Sequence, residues 1–205
     1  MNIWERIIQK FKEKKQRKMN KLNIEIRHET EILTHTKTLS QEEIDWMLTP
    51  IPEGRTSFTP DEFRDFTRID IKLTEINVVE NNPVFCSVDG VLFDKAMSEL
   101  IKYPQNKDKT DYTIPDGIMS IAKFAFYDCK RLVNIFFPEC LEIIQYYAFA
   151  YCGGLKTITL PMGLQFIEKG AFKDCLNLET VTLSKKTKIG HKAFEGFNGK
   201  LIYRD

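Results

Sequence analysis

Apolar residues in the second half of the chain follow a pattern that repeats every 23 residues. Three consecutive segments, 114–136, 137–159 and 160–182, align without a gap. Identical residues coincide at Ala125, Ala148 and Ala171, at Phe126, Phe149 and Phe172, at Cys129, Cys152 and Cys175, and at Pro115, Pro138 and Pro161. A fixed period of this length is typical of a solenoid, in which each coil buries its apolar face against the next coil.

Each repeat contains two shorter patterns. The first is L-x-x-I-x-[LF], found at 132–137, 155–160 and, with Val for Ile, 178–183. Its last three positions alternate between apolar and polar, which predicts a short β-strand. The second is I-x-x-x-A-F-x-x-C, found at 121–129, 144–152 and 167–175. Its spacing predicts about two helical turns with one buried side. The predicted fold class is therefore an α/β repeat, a leucine-rich-repeat solenoid with one short strand and one short helical turn per repeat.

The combined block, I-P-x-x-[IVL]-x-x-I-x-x-x-A-F-x-x-C-x-x-L-x-x-I, resembles the BspA-type leucine-rich repeats. The stretch 82–115 also resembles a segment that recurs in that family, so the resemblance covers about residues 58–205. It implies a solenoid and, from other family members, a loose link with adhesion and protein binding in bacterial surface and secreted proteins. The turn after the strand carries Gly117, Cys140, Gly163 and Lys186. We therefore expect no asparagine ladder.

We predict three parts in the chain: a basic amphipathic helix at 1–22, an N-terminal capping region at 23–57 and the solenoid at 58–205. A degenerate first repeat is expected near 58–78, and Ala193 and Phe194 repeat the motif 22 residues after Ala171 and Phe172. The stretch between Val78 and Ile114 is longer than one repeat. Its extra residues predict a β-hairpin insertion near 84–108, because Asp89-Gly90 is a strong hairpin signal. We expect this insertion to project from the solenoid as a small β-meander.

Charge is balanced over the chain, with 30 basic and 29 acidic residues, but residues 1–21 carry a local net charge of +6. A basic amphipathic helix can contact an anionic membrane, nucleic acid or a protein. Nucleic acid is the least favoured of these, because the rest of the chain is net acidic. No apolar segment is long enough to span a bilayer or resembles a signal peptide. This absence favours the cytoplasm, whereas the family resemblance favours the cell surface or secretion.

The five cysteines are expected to be free thiols, which also favours the cytoplasm. Three of them share one repeat position, where they are expected to form a ladder of small buried side chains rather than a disulfide or a metal site. There is no C-x-x-C pair, and none of the three histidines lies at ligand spacing from a cysteine. No phosphate-binding loop or catalytic motif is present either. We therefore expect neither an enzyme nor a cofactor, metal or small-molecule substrate.

The strand pattern predicts a surface, because its third and fifth positions point away from the core. The candidate partner-binding residues are Asn134, Phe136, Thr157, Thr159, Thr180 and Thr182. Phe136 is the only aromatic residue among them, and exposed aromatics on a rigid face are typical binding anchors. Threonine also simply suits an exposed strand, which is the alternative explanation for these rows. Two functions follow: a protein-binding module that uses the strand face, or a scaffold that displays the basic helix to a membrane or nucleic acid.

Overall fold

The computed structural model describes residues 74–205, and within that range it contains twelve β-strands and no helix. The strands are β1 Phe85–Val88, β2 Val91–Asp94, β3 Glu99–Lys102, β4 Asp111–Thr113, β5 Ser120–Ile121, β6 Asn134–Phe136, β7 Ile143–Ile144, β8 Thr157–Thr159, β9 Phe166–Ile167, β10 Thr180–Ser184, β11 Lys188–Ile189 and β12 Lys200–Arg204. The predicted basic helix at 1–22, the capping region at 23–57 and residues 58–73 lie outside the described residues. Between residues 74 and 205, no helix could cross a membrane.

Each coil of the solenoid contributes two parallel strands, one to each of two sides. On the first side β4 pairs with β6, and β8, β10 and β12 pair in that order. The β4–β6 and β8–β10 pairs keep the 23-residue register, for example Tyr112 with Ile135 and Ile158 with Val181. These strands lie where the alternating pattern predicts them. The second side is one sheet in the order β1-β2-β3-β5-β7-β9-β11, and its coil strands β5, β7, β9 and β11 were not predicted.

The prediction of a helical turn in each repeat was wrong. Backbone amides there alternate between local and inter-coil partners: Ala125 N–H donates to Ala122 O (3.1 Å), whereas Phe126 N–H donates to Ala148 O (2.7 Å) in the next coil. An α-helix would direct every amide to a carbonyl four residues earlier in the same segment. Phe124 and Asp128 also have φ of +59°, a left-handed conformation that a right-handed helix cannot contain. The apolar spacing instead belongs to a strand followed by tight turns.

The region before the first regular coil extends the second sheet. β1 and β2 form an antiparallel hairpin whose turn residues, Asp89 and Gly90, both have positive φ. β2 pairs antiparallel with β3, and β3 pairs parallel with β5. The meander is therefore continuous with the solenoid sheet, and the expectation that it projects away was wrong. An exposed sheet edge would leave backbone groups unpaired, and continuing the sheet avoids that cost.

The core is a column of aromatic rings that crosses the coils. Phe126 stacks on Phe149 with centroids 4.6 Å apart, Phe149 on Phe172 at 5.0 Å, and Phe172 on Phe194 at 5.2 Å. Tyr103 stacks on Phe126 at the other end, at 5.0 Å. The Phe172–Phe194 contact confirms the last repeat, which is one residue shorter than the others.

The three repeat cysteines are buried beside this column. The Cys152 thiol donates to Phe126 O at 2.9 Å, and the Cys175 thiol donates to Phe149 O at 3.1 Å. The thiols of Cys152 and Cys175 therefore each bind a backbone carbonyl 26 residues earlier in the chain. All five cysteines, including half-buried Cys86 and exposed Cys140, are free in the structure.

Candidate functional site

The alternating strands of the first side present two rows of outward side chains. The second residues of β4, β6, β8 and β10 are Tyr112, Ile135, Ile158 and Val181, and all four are buried. Because successive side chains on a strand point to opposite faces, the residues on either side of them face solvent. We call the outer surface of β4, β6, β8, β10 and β12 the strand face.

The predicted site residues lie on the strand face with different exposures. Phe136 is 56% exposed, and Thr157 and Thr159 are also exposed. Asn134, Thr180 and Thr182 are half-buried. Strand pairing brings Thr157 beside Thr180 and Thr159 beside Thr182, whereas Phe136 lies beside Thr113.

A seam divides the strand face. β6 and β8 are neighbours in contact, but in the described part of the chain no ladder of strand pairing joins them. Phe136 therefore ends one paired group of strands, and Thr157 and Thr159 begin the other. The sequence gives no sign of this seam, because the 23-residue register runs through it unchanged.

Charge on the strand face lies at its two ends. At the β4 end, Asp111 accepts hydrogen bonds from Thr110 Oγ1 (2.5 Å) and Asn134 Nδ2 (2.6 Å). These two bonds hold the pKa of Asp111 below its usual value, and the bond from Thr110 has the larger effect. At the β12 end, Lys200 pairs with Thr180 and occupies the same row. The centre of the strand face consists of amide, hydroxyl and aromatic groups.

Sequence reasoning missed the residues that β12 adds to this face. Lys200 and Ile202 continue the two rows, and Ile202 is 43% exposed. Alternation in Lys200–Arg204 was the available signal. It was hidden because β12 pairs with β10 at an offset of 20 residues instead of 23. Arg204 Nη2 also donates to Leu160 O (2.9 Å), which ties the last strand back across two coils.

Within residues 74–205, no group of His, Cys, Asp and Glu side chains is arranged to hold a metal ion. His191 is exposed.

Comparison with known proteins identifies the repeat type. Residues 103–203 match the model of the BspA type leucine rich repeat region, in six copies. No curated protein matches the chain. The crystal structure of the pneumococcal vaccine antigen PcpA is similar, with a TM-score of 0.69 and 31% identity. A leucine-rich cell surface protein from Faecalibacterium prausnitzii has a TM-score of 0.51 and 24% identity, so this likeness concerns the fold alone.

Both similar structures are longer than this chain. The match covers 76% of this chain but 38% of PcpA. For the Faecalibacterium prausnitzii protein it covers 61% of this chain and 41% of that one. The chain thus spans less than half the length of either protein.

Proposed function

We propose that the chain, whose residues 103–203 match the model of the BspA type leucine rich repeat region, is a non-enzymatic module that binds a protein partner through its strand face. The proposed contact residues are Asn134, Phe136, Thr157, Thr159, Thr180 and Thr182. The mode of action would be adhesion-like, as the resemblance to the BspA-type repeats implies.

The observation that carries this proposal is the exposure of Phe136. A phenylalanine that is 56% exposed on a strand leaves a large apolar surface in water. A partner that buries this surface gains about 25 cal/mol for each Å² that is removed from water. The surrounding strands fix its position, so little conformational entropy is lost on binding. Aromatic anchors surrounded by small polar residues are typical of the energetic centres of interfaces.

The threonine rows would serve as the rim of that contact. Thr157 and Thr159 are exposed and uncharged, so a partner can cover them without removing an ion from water. Asp111 and Lys200, at opposite ends, would then set the orientation of the partner by charge.

The alternative, a scaffold that displays a basic helix at 1–22 to a membrane or nucleic acid, concerns residues outside the described range. None of the comparisons supports it. It is retained as an outcome of the experiment.

The test is a pull-down with the full chain from the native lysate, followed by identification of the captured protein and measurement of its affinity by biolayer interferometry. The variant is Phe136→Glu with Thr159→Arg, and its fold is checked by circular dichroism. The matched control is Met162→Glu with Gln165→Arg, which places the same charges at exposed positions off the strand face. We expect the first variant to weaken binding by at least about tenfold and the control to bind like wild type.

Salt dependence and a deletion separate the two functions. Binding through an apolar anchor is expected to persist at high salt, whereas binding through the basic segment falls steeply. If the strand-face variant retains the partner and deletion of residues 1–21 releases it, the basic segment is the binding site and the proposal is wrong.

A further inference from the structure

A second exposed surface lies on the other side of the solenoid, on the outer face of β7, β9 and β11. It forms an open groove with a volume of about 490 Å³. We call it the second-sheet groove, and the residues that line it include Ile143, Tyr146, Phe166, Glu168, Lys169 and Lys188, with Ile189 at its edge.

Strand register builds the groove from two columns of side chains. Ile143, Phe166 and Lys188 are paired positions at the start of the three strands. Tyr146 and Lys169 follow three residues after the first two of these positions and form the second column. Because adjacent strands are about 4.8 Å apart, three coils give a groove about 10 Å long, enough for about three residues of an extended peptide.

The groove is apolar along much of its length. Phe166 and Ile189 are each 38% exposed, and Tyr146 is 37% exposed. Aromatic and aliphatic side chains grouped on a rigid sheet are the usual receptor for one large apolar side chain of a partner.

Two cations border this apolar surface. Lys188 Nζ lies 5.1 Å from the centre of the Phe166 ring, and Lys169 Nζ lies 5.9 Å from the centre of the Tyr146 ring. Neither ammonium forms a salt bridge with any residue in the range 74–205. Each is therefore available to an anion from outside the chain.

The other charged groups nearby are one carboxylate in the groove and an ion-pair cluster in the neighbouring turns. Glu168, an exposed residue that lines the groove, accepts the Tyr146 backbone N–H at 2.8 Å and keeps its negative charge. Lys173 and Lys192, in neighbouring turns, both bind the Glu195 carboxylate at 2.7 Å. Two lysines and one glutamate therefore leave the groove with a net positive charge beside its apolar side chains.

We propose that the second-sheet groove binds an acidic protein segment that carries one large apolar side chain between its carboxylates. The apolar side chain packs against Ile143, Tyr146 and Phe166, and the carboxylates approach Lys169 and Lys188. A highly charged polysaccharide would satisfy the two lysines but would leave the apolar surface in water, so the observations favour a protein segment. This surface is separate from the strand face, and a single chain can use both.

The test measures binding of a fluorescein-labelled hexapeptide, Glu-Asp-Leu-Phe-Asp-Glu, to the full chain by fluorescence polarisation. Two control peptides separate the apolar part of the interaction from the charged part. Gln-Asn-Leu-Phe-Asn-Gln keeps the apolar centre without the charges, and Glu-Asp-Gly-Gly-Asp-Glu keeps the charges without the apolar centre. We expect saturable binding of the first peptide and at least tenfold weaker binding of each control, because both parts of the groove are needed.

Two pairs of variants locate the binding. Phe166→Thr removes the anchor surface while keeping a residue that suits a strand, and its control is Leu176→Thr, another exposed apolar residue. Lys169→Gln with Lys188→Gln removes the two cations, and its control is Lys156→Gln with Lys186→Gln. We expect each groove variant to bind the acidic peptide at least fivefold more weakly and each control to bind within twofold of wild type.

Several outcomes would overturn the inference. One is the absence of saturable binding, and another is equal binding by the groove variants and their controls. If the charge-only peptide or heparin binds as tightly as the acidic apolar peptide, the surface recognises anions alone and the proposed partner class is wrong. The Phe136→Glu, Thr159→Arg variant should bind the peptide like wild type, so failure of either proposed surface can be recognised without the other.

Discussion

Cys175 and Lys102 are buried ionisable residues whose pKa values move in opposite directions. Burial raises the pKa of the Cys175 thiol to about 12 and raises that of Cys152 well above its ordinary value. Burial lowers the pKa of the Lys102 ammonium to about 8, although its Nζ donates to Phe124 O at 2.9 Å. In each case burial favours the neutral form, because charge is poorly solvated in the core.

These shifts predict how stability changes at alkaline pH. The raised thiol pKa contributes to the free energy of unfolding, and this contribution is fully present below the ordinary thiol pKa of 9.0. It is lost as pH rises from there towards about 12, because in that range only the unfolded thiol releases its proton. The Lys102 contribution has the opposite sign: it is present above the ordinary pKa of 10.5 and is lost as pH falls through about 8. We expect stability to decline above about pH 9, with Lys102 opposing part of the decline.

Urea denaturation under reducing conditions at several pH values between about 7 and about 11 measures this balance. Cys175→Ala should make the decline shallower, and Lys102→Met should make it steeper, since each removes one contribution. Exposed Cys140→Ala is the control and should follow wild type. Equal slopes for wild type and Lys102→Met would contradict the prediction.

Gly170 is a position where the backbone and a neighbouring ring both require glycine. Its φ is +66°, and a Cβ there would overlap the ring of Tyr147 in the preceding coil. We expect Gly170→Ala to destabilise the fold by about 1–2 kcal/mol, because alanine is strained in the left-handed region and would displace the ring. Thermal unfolding measures the effect. Gly153→Ala is the control, since a Cβ at Gly153 meets nothing within 4 Å.

A double-mutant cycle separates the two causes at Gly170. Adding Tyr147→Ala to Gly170→Ala should recover the part of the loss that comes from the ring, while the backbone strain remains. Strict additivity of the two substitutions would mean that the ring does not need the space above Gly170.

At the scale of the element, the stacked phenylalanines bind each coil to the next. The ring of Phe149 stacks on two others, Phe126 at an interplanar angle of 13° and Phe172 at 2°. Phe149→Ala should therefore leave a cavity between two coils and cost about 3–5 kcal/mol of unfolding free energy. Phe149→Leu retains more of the side-chain volume and should cost less. If Phe149→Ala melts within about two degrees of wild type, the ring column does not hold the coils together.

The strand elements could be predicted from sequence because their alternation is strict. Ile135 and Ile158 are buried between outward residues, and only a strand gives that period. The turn segments could not be predicted in the same way. The spacing of Ile121, Ala125 and Phe126 fits a helix as well as a turn, and what decides between them is the inter-coil hydrogen bonding.

The candidate site also has one part that the sequence predicts and one part that it does not. The outward direction of Phe136 and Thr159 follows from alternation within one strand, so the sequence predicts it. The seam between β6 and β8, the last strand β12 and the second-sheet groove depend on which coils pair and at what offset. The 20-residue offset of β12 breaks the period, so a fixed repeat cannot reveal it. The groove strands β7 and β9 keep the 23-residue period, but each has only two residues, too few for alternation to be recognised.

At the scale of the whole described solenoid, the two sides are connected differently. The strand face is interrupted between β6 and β8, whereas the second sheet continues from β1 to β11 without a break. The Phe126–Phe149 stack and the β5–β7 pairing both bridge the coils on either side of the seam. The seam therefore should not divide the solenoid into separately unfolding parts.

Hydrogen exchange of the full chain, followed by pepsin digestion and mass spectrometry, tests this expectation. In a stacked array a terminal coil opens by breaking one interface, whereas a middle coil opens only when interfaces on both sides are lost. The Phe149 amide donates to Ala171 O at 2.7 Å inside the array, and the Lys200 amide donates to Glu179 O at 2.8 Å at its end. We expect peptides around Phe149 to exchange at least about tenfold more slowly than peptides around Lys200.

The decisive comparison is between the exchange rates of peptides on the two sides of the seam. Those that cover β6 and those that cover β8 should exchange at similar rates, because the ring column and the second sheet join their coils even though the strand face does not. Faster exchange on one side would mean that the seam is a boundary between cooperative units. Uniform exchange along the array would mean that the solenoid opens as one unit and that its last coil is no weaker than its centre.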